Sequence, residues 1–421
     1  MSTPLSAEAA SSEPAPPRVG ARFIVLFTLA TLGIWMAINT PAMVTLALRV
    51  GDVDPTGKNT SYSMVSGIGT LIAVIANPLF GRLSDRTISR FGMRRPWMII
   101  GILGTAVGAV IVGLSTGLTG VIVGWVLMQA FANAAIASTF AVMGDQVPEE
   151  QQGLMGGLAG MTSGGSVVLG TFFVQLFPTQ PLLQMGIPVA AALIFFALFA
   201  AQLKDRRLNK AERPDFSAKE FAGTFWINPR RAPDFAWFLL SLFLICIGIG
   251  VVSTYLVYFL EDRLNIAAAD LASAAFRANL VLMAVNTAVS FLSGYVSDRL
   301  GRRKPLFALA AVLVTAGITL MVLGGSMPWL YAGIALVGAG YGSLSGIYLS
   351  FAMATLPNST NVARDLGLVN VALTLPFSLV PFAAPAALAI GHGSNYTALF
   401  LISGALSLLG WPVLARIRKV R

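Results

Sequence analysis

The chain has 421 residues, of which 56% are hydrophobic and only 11% charged, with a mean hydropathy of +0.77. A soluble domain carries about 25% charged residues. This composition therefore excludes a soluble enzyme, a nucleic-acid-binding module and a disordered scaffold, and describes an all-α polytopic membrane protein, with the bilayer as its first partner. The net charge of +10 then matters by where it lies and not by its sum. One cysteine, Cys246, and one histidine, His392, leave no intrachain disulfide and no Cys- or His-based metal site; no metal and no cofactor is expected.

Residues 1–20 are rich in Ala, Ser, Pro and Glu, lack the charged start and apolar core of a signal peptide, and read as a disordered tail. Apolar stretches follow at 23–48, 61–82, 97–115, 119–143, 153–178 and 182–202, and resume at 235–260, 267–296, 306–325, 329–354, 366–389 and 396–415. A spanning helix needs roughly 20 apolar residues, so these are twelve transmembrane helices. They form two six-helix halves, 21–202 and 235–416, joined by a linker at 203–234 and ended by a tail at 417–421. Membrane strands would instead show ~10-residue alternating segments. The linker segment "SAKEFAGTFWINPRRAPDF" reads either as an amphipathic helix on the membrane surface or as a solvated connection.

Loops on the side of the N-terminus, with the tails, hold 24 of the 28 Lys and Arg residues, against Arg49, Lys58 and Arg263 in the opposite loops. Cytoplasmic loops accumulate positive charge, so both termini are expected in the cytoplasm. Trp97, Trp237, Trp329 and Trp411 sit at helix ends as interfacial anchors. Arg277 lies inside span 8 near its outer boundary, where a side chain snorkels to the headgroups. Arg outnumbers Lys 22 to 6 amid abundant Ala and Gly, which points to a GC-rich bacterial genome and an inner (cell) membrane.

A repeat stands out. "GRLSDRTISRFGMRRP" begins at Gly81 and "GYVSDRLGRRKP" at Gly294, an offset of 213 residues, each between the second and third span of its half. A carboxylate and several guanidinium forks in a short turn have the chemistry of a latch: carboxylates favour helix N-termini and pair with arginine. The doubled G-x-x-x-D-R…G-R-R pattern with six plus six spans resembles the major facilitator superfamily over residues 20–418. The four-residue expansion of the first copy is similar to plant-type sucrose transporters and the glycoside-pentoside-hexuronide group. The resemblance implies gating loops, carried by Asp85, Arg86, Arg94 and Arg95 in the first half and by Asp298, Arg299, Arg302 and Arg303 in the second. Asp145, ending span 4, and Asp365, opening span 11, are latch partners by position. Met93 stands where the pattern usually has Arg, which weakens the first latch.

Gly156, Gly160 and Gly164 line one face of span 5, and Gly338, Gly342 and Gly346 one face of span 10, a spacing for close helix packing. Polar side chains inside spans are expensive in lipid and mark a substrate path: Trp35 and Asn39, Gln129 and Asn133, Thr254, Tyr255 and Tyr258, and Tyr341, Ser345 and Tyr348. The resemblance implies a cavity walled by spans 1, 4, 7 and 10, which carry these residues. Each equally suits plain interhelical hydrogen bonding. Aromatic plates beside amides and hydroxyls suit a sugar or a similar small polar solute; efflux of an amphipathic compound is the alternative. All 18 acidic residues lie in loops, tails or helix ends. A coupled proton would then use a helix-end group, and passive or weakly coupled transport is set against the symport expected by analogy. The reading is a monomeric transporter and not an enzyme.

Overall fold

The computed structural model describes residues 17–209, 232–356, 362–391 and 394–417. Most of the linker, including residues 217–231 of the segment read as a surface helix or a solvated connection, and His392 lie outside the described residues, as do the tails up to 16 and from 418. Among the described residues twelve helices are long and apolar enough to cross a membrane. They are α1 (Ala21–Val53), α2 (Lys58–Asp85), α3 (Arg95–Leu114), α4 (Leu118–Gln146), α5 (Glu149–Gln175) and α6 (Pro181–Gln202). The second set is α7 (Pro233–Arg263), α8 (Ala268–Leu300), α9 (Lys304–Gly324), α10 (Met327–Thr355), α11 (Val362–Leu388) and α12 (Tyr396–Leu414). No strand occurs among the described residues.

The helices overrun the apolar stretches by a few residues at many ends, the far ends of α1 and α7 among them. Each of these two helices contains a π turn, at Pro41–Thr45 and at Phe259–Arg263. Pro41 has no N–H to donate, which loosens the helical ladder there. The Tyr62 hydroxyl donates to the Ala42 carbonyl at 3.1 Å, and the Tyr258 hydroxyl to the Ala47 carbonyl at 2.9 Å. The polar end of α1 is held in turn by Arg49, which donates to the Val112 and Ser115 carbonyls and pairs with Asp52 at 3.6 Å.

The two sets of six share one packing plan. In the first, α1 lies against α5 and α6, α3 against α4 and α6, and α2 against α4. In the second, α7 lies against α11 and α12, α9 against α10 and α12, and α8 against α10. Close crossings correspond as well. A Cβ on Gly108 would meet the Gly124 carbonyl at 2.6 Å, and one on Gly333 the Gly317 carbonyl at 2.6 Å. Without a hydrophobic drive between helices in lipid, such close backbone approach supplies the association. The sets meet along two seams, α2 with α11 and α5 with α8.

Candidate functional site

The residues expected to gate the first half come together at the face that carries the chain termini. Arg94 is buried at 5% exposure, and its Nη1 lies 2.5 Å from Asp85 Oδ1 and 3.0 Å from Ser84 Oγ. Its Nε donates to Asp145 Oδ2 at 2.9 Å. Burial alone disfavours the Arg94 charge, but Asp145 and Asp85 outweigh it and the guanidinium pKa is raised. Asp205, just past α6, was not anticipated. Its Oδ2 accepts the backbone N–H groups of Arg94 and Arg95, at 2.7 Å each, at the start of α3. A carboxylate is well placed at a helix N-terminus, although desolvation pushes the Asp205 pKa up against those donors. Gly92 sits at φ +101°, and a Cβ there would collide with the Asp205 carboxyl, so the turn requires glycine. Met93 does not leave a gap: it is buried, and its N–H donates to the Arg206 carbonyl at 3.0 Å.

The second copy is sparser. Arg303 Nη1 donates to the Ser350 carbonyl at 3.0 Å, and the Arg299 guanidinium stacks over the Tyr295 ring at 4.6 Å, while Arg302 is exposed. Asp298's side chain lies outside the described residues. Asp365 is buried at the start of α11, and Arg86 is half-buried at the end of α2.

At mid-depth the amides cluster. Asn77 Nδ2 donates to Asn133 Oδ1 at 3.2 Å, linking α2 to α4, and Asn133 Nδ2 donates to the Gln129 carbonyl at 2.8 Å. Gln129 and Asn133 are themselves buried. Asn39 instead bridges to α5, donating to Ser166 Oγ at 3.1 Å. Trp35 is half-buried, with a shielded Nε1 that has no partner. Tyr341, Ser345 and Tyr348 remain half-buried on α10. Asn77 was missed because a lone amide beside Pro78 gives no face pattern.

Tyr255 and Tyr258 lie apart from this cluster. They are fully buried at the face opposite the termini, in a seal between the two sets of helices. Tyr255 Oη and Ser63 Oγ lie 2.6 Å apart, and Tyr62 makes edge-on ring contacts with both tyrosines. Lys58 Nζ pairs with Glu261 and Asp262 at 2.7 Å each, and the Tyr396 hydroxyl donates to Asp262 at 2.6 Å and lies 2.9 Å from the side-chain oxygen of Asn59. Thr254 is buried beside this group. Opposite charges in the two corresponding connections, Lys58 after the first helix and Glu261–Asp262 at the end of the seventh, were a signal that sequence reasoning passed over.

Toward the termini the halves part. On the shared face of α5, a Cβ on Gly164 would reach Met283 of α8 at 3.8 Å, while Gly160, Gly157 and Gly153, successively nearer the termini, have nothing within 4 Å. The glycines of α10 behave as their spacing predicts, against α8: a Cβ on Gly338 would meet the Leu282 carbonyl at 2.7 Å. Those of α5 carry the same spacing, yet only Gly164 has an atom within 4 Å of a Cβ, and Gly156 and Gly160 have open space. Among the described residues no three His, Cys, Asp or Glu side chains group to hold a metal.

Two corresponding bundles, sealed at one face, parted at the other and holding polar side chains at mid-depth, have the build of a membrane transporter. The chain belongs to the Major Facilitator Superfamily, whose family model matches residues 23–381. It is 30% identical over 178 residues to an oxalate:formate antiporter of Oxalobacter formigenes, a match that spans 41% of each chain. Its fold is similar to that of a peptide transporter crystallised with sulfate, with a TM-score of 0.74 at 14% identity over 96% of this chain and 98% of that one. A nucleoside transporter is similar with a TM-score of 0.72 at 13% identity over 94% and 100%. So is an inward-facing, unoccupied bacterial homologue of the human lysosomal transporter Spinster, with a TM-score of 0.70 at 12% identity over 94% and 98%. The protein is a multi-pass membrane transporter and not an enzyme.

Proposed function

We propose that the chain moves a small uncharged polar solute, a sugar first among them, across a bacterial cell membrane by alternating access, as a monomer with both termini cytoplasmic. The observation that carries the substrate class is the amide cluster of Asn77, Gln129 and Asn133. Each amide keeps donor or acceptor capacity beyond the bonds it makes, which suits hydroxyl groups. Aromatic faces at Trp35, Tyr341 and Tyr348 would sandwich a sugar ring, with Asn39 and Ser345 beside them. The seal of Tyr255, Tyr258 and Thr254 would then be the gate that opens when the halves rock, and the Asp85–Arg94–Asp145 cluster the latch at the other face.

Coupling follows from the same residues. The acidic side chains lie at helix ends and loops, so a proton, where one is moved, passes through a group such as Asp145, Asp365 or Asp262. Transport is therefore passive or weakly coupled. The relative in Oxalobacter formigenes favours a second reading, exchange of small organic anions, for which Arg277 in α8 would supply the charge.

Uptake into proteoliposomes separates these. Labelled sugars should equilibrate without a pH gradient. Accumulation of a neutral sugar about tenfold or more, abolished by a protonophore, would overturn weak coupling, since a gradient can be converted only through a group that titrates differently in the two states. Uptake of oxalate that requires internal formate, with no sugar uptake, would replace the sugar reading with the exchanger.

A further inference from the structure

The two seams between the halves are unequal. Along α2 and α11 the ring of Phe382 fills the space beside Gly67, where a Cβ would meet it at 2.6 Å. Along α5 and α8 there is instead a cleft of about 490 Å³, walled by Gly165, Val168, Met283, Ala284 and Thr287 among others. Its rim residues Leu169 and Leu280 are 43% and 41% exposed on the perimeter of the bundle. Gly164, at the cleft, is 15 residues from the start of α5 and 11 from its end, or about 22 and 16 Å at 1.5 Å per residue. The cleft thus opens at the middle of a hydrocarbon layer about 30 Å thick.

What fills such a space is constrained. The Thr287 hydroxyl is the polar side-chain group in the wall, whereas an ordered water needs two to four polar partners. An empty cleft would forfeit the dispersion contacts of its walls. No lining side chain carries a charge. The surrounding medium at that depth is acyl chain.

We propose that the α5–α8 cleft is a binding site for a lipid acyl chain, which enters sideways from the bilayer while the halves are parted toward the termini. Below the cleft the α5 glycines 153, 157 and 160 have open space beside them. Bringing α5 and α8 together there closes the cleft and expels the chain. Acyl occupancy therefore favours the parted state, because a ligand shifts an equilibrium by its differential affinity for the two states. This goes beyond the solute proposed above and depends on the parting of the halves alone.

The test uses the full chain in nanodiscs containing phosphatidylethanolamine with a diazirine at the middle of one acyl chain. After irradiation, adducts are mapped by mass spectrometry. Adducts should concentrate at residues 164–169 and 280–288, several-fold above the exposed α9 positions Leu309 and Val312. Ala284→Phe should fill the cleft and remove that excess while leaving the melting temperature unchanged; Gly165→Leu serves if the first variant does not fold. Uniform labelling around the perimeter overturns the proposal, and so does an excess that survives both variants. Modification of Thr287→Cys by a water-soluble maleimide as readily as an exposed loop cysteine would mean that water fills the cleft, and overturns it too. None of these outcomes depends on which solute is transported.

Discussion

Arg94 concentrates the charge chemistry of the first half: it is buried, with two carboxylates, a serine hydroxyl and the Asp205-braced turn around it. Removing both carboxylates, in Asp85→Asn with Asp145→Asn, leaves a buried guanidinium uncompensated. Breaking a fully buried pair costs about 3–5 kcal/mol, and the partial exposure of the carboxylates brings the expectation to about 1–3 kcal/mol. Thermal melting in detergent checks it, and a melting curve matching the parent would remove the latch role. At the opposite face Tyr255→Phe deletes the hydroxyl that meets Ser63 across the halves. One such hydrogen bond is worth ~1 kcal/mol, or about a fivefold shift toward the unsealed state. The rate of modification of Asn59→Cys by an impermeant maleimide reads that shift; no change would place the seal's strength elsewhere. Arg94, Asp85 and Asp145 were legible in the sequence because charge in a membrane chain is rare and repeated. Asp205 was not, since one carboxylate in a charged linker carries no pattern.

Helices were the most legible level. Their apolar lengths match what a bilayer requires, and the structure moves most ends by only a few residues, as where a π turn continues α1 and α7 into polar sequence. What the pattern of one helix does not encode is the surface opposite it. The glycines of α5 and α10 have the same spacing, yet Gly342 is pressed against the α8 backbone at Asn286 while Gly160 has open space. Two substitutions with the same new side chain should therefore separate. Gly342→Leu overpacks α8 against α10 at a cost of about 1–3 kcal/mol and lowers the melting temperature. Gly160→Leu should melt as the parent does and yet transport poorly, because α5 must approach α8 when the halves close on that side. Equal melting of the two variants would contradict the packing, and full transport by Gly160→Leu would contradict the closure.

For the whole molecule, the distribution of Lys and Arg sets the direction in the membrane. In a Cys246→Ala background, Arg207→Cys, exposed just past α6, should resist an impermeant thiol reagent in intact cells, and Thr56→Cys, exposed between α1 and α2, should react. The reverse pattern would invert the topology. The two sets of helices also end alike. Arg95, opening α3, donates to the Leu203 carbonyl just past α6, and Lys304, opening α9, donates to the Ile417 carbonyl just past α12 at 2.5 Å. Each set thus fastens the segment that leaves its last helix to its own third helix. Modularity follows: the covalent connection raises the effective concentration of one module near the other without completing either of them. Residues 1–209 and 232–421, produced as two polypeptides in one cell, should co-purify and restore solute uptake, whereas a lone fragment should insert but carry nothing.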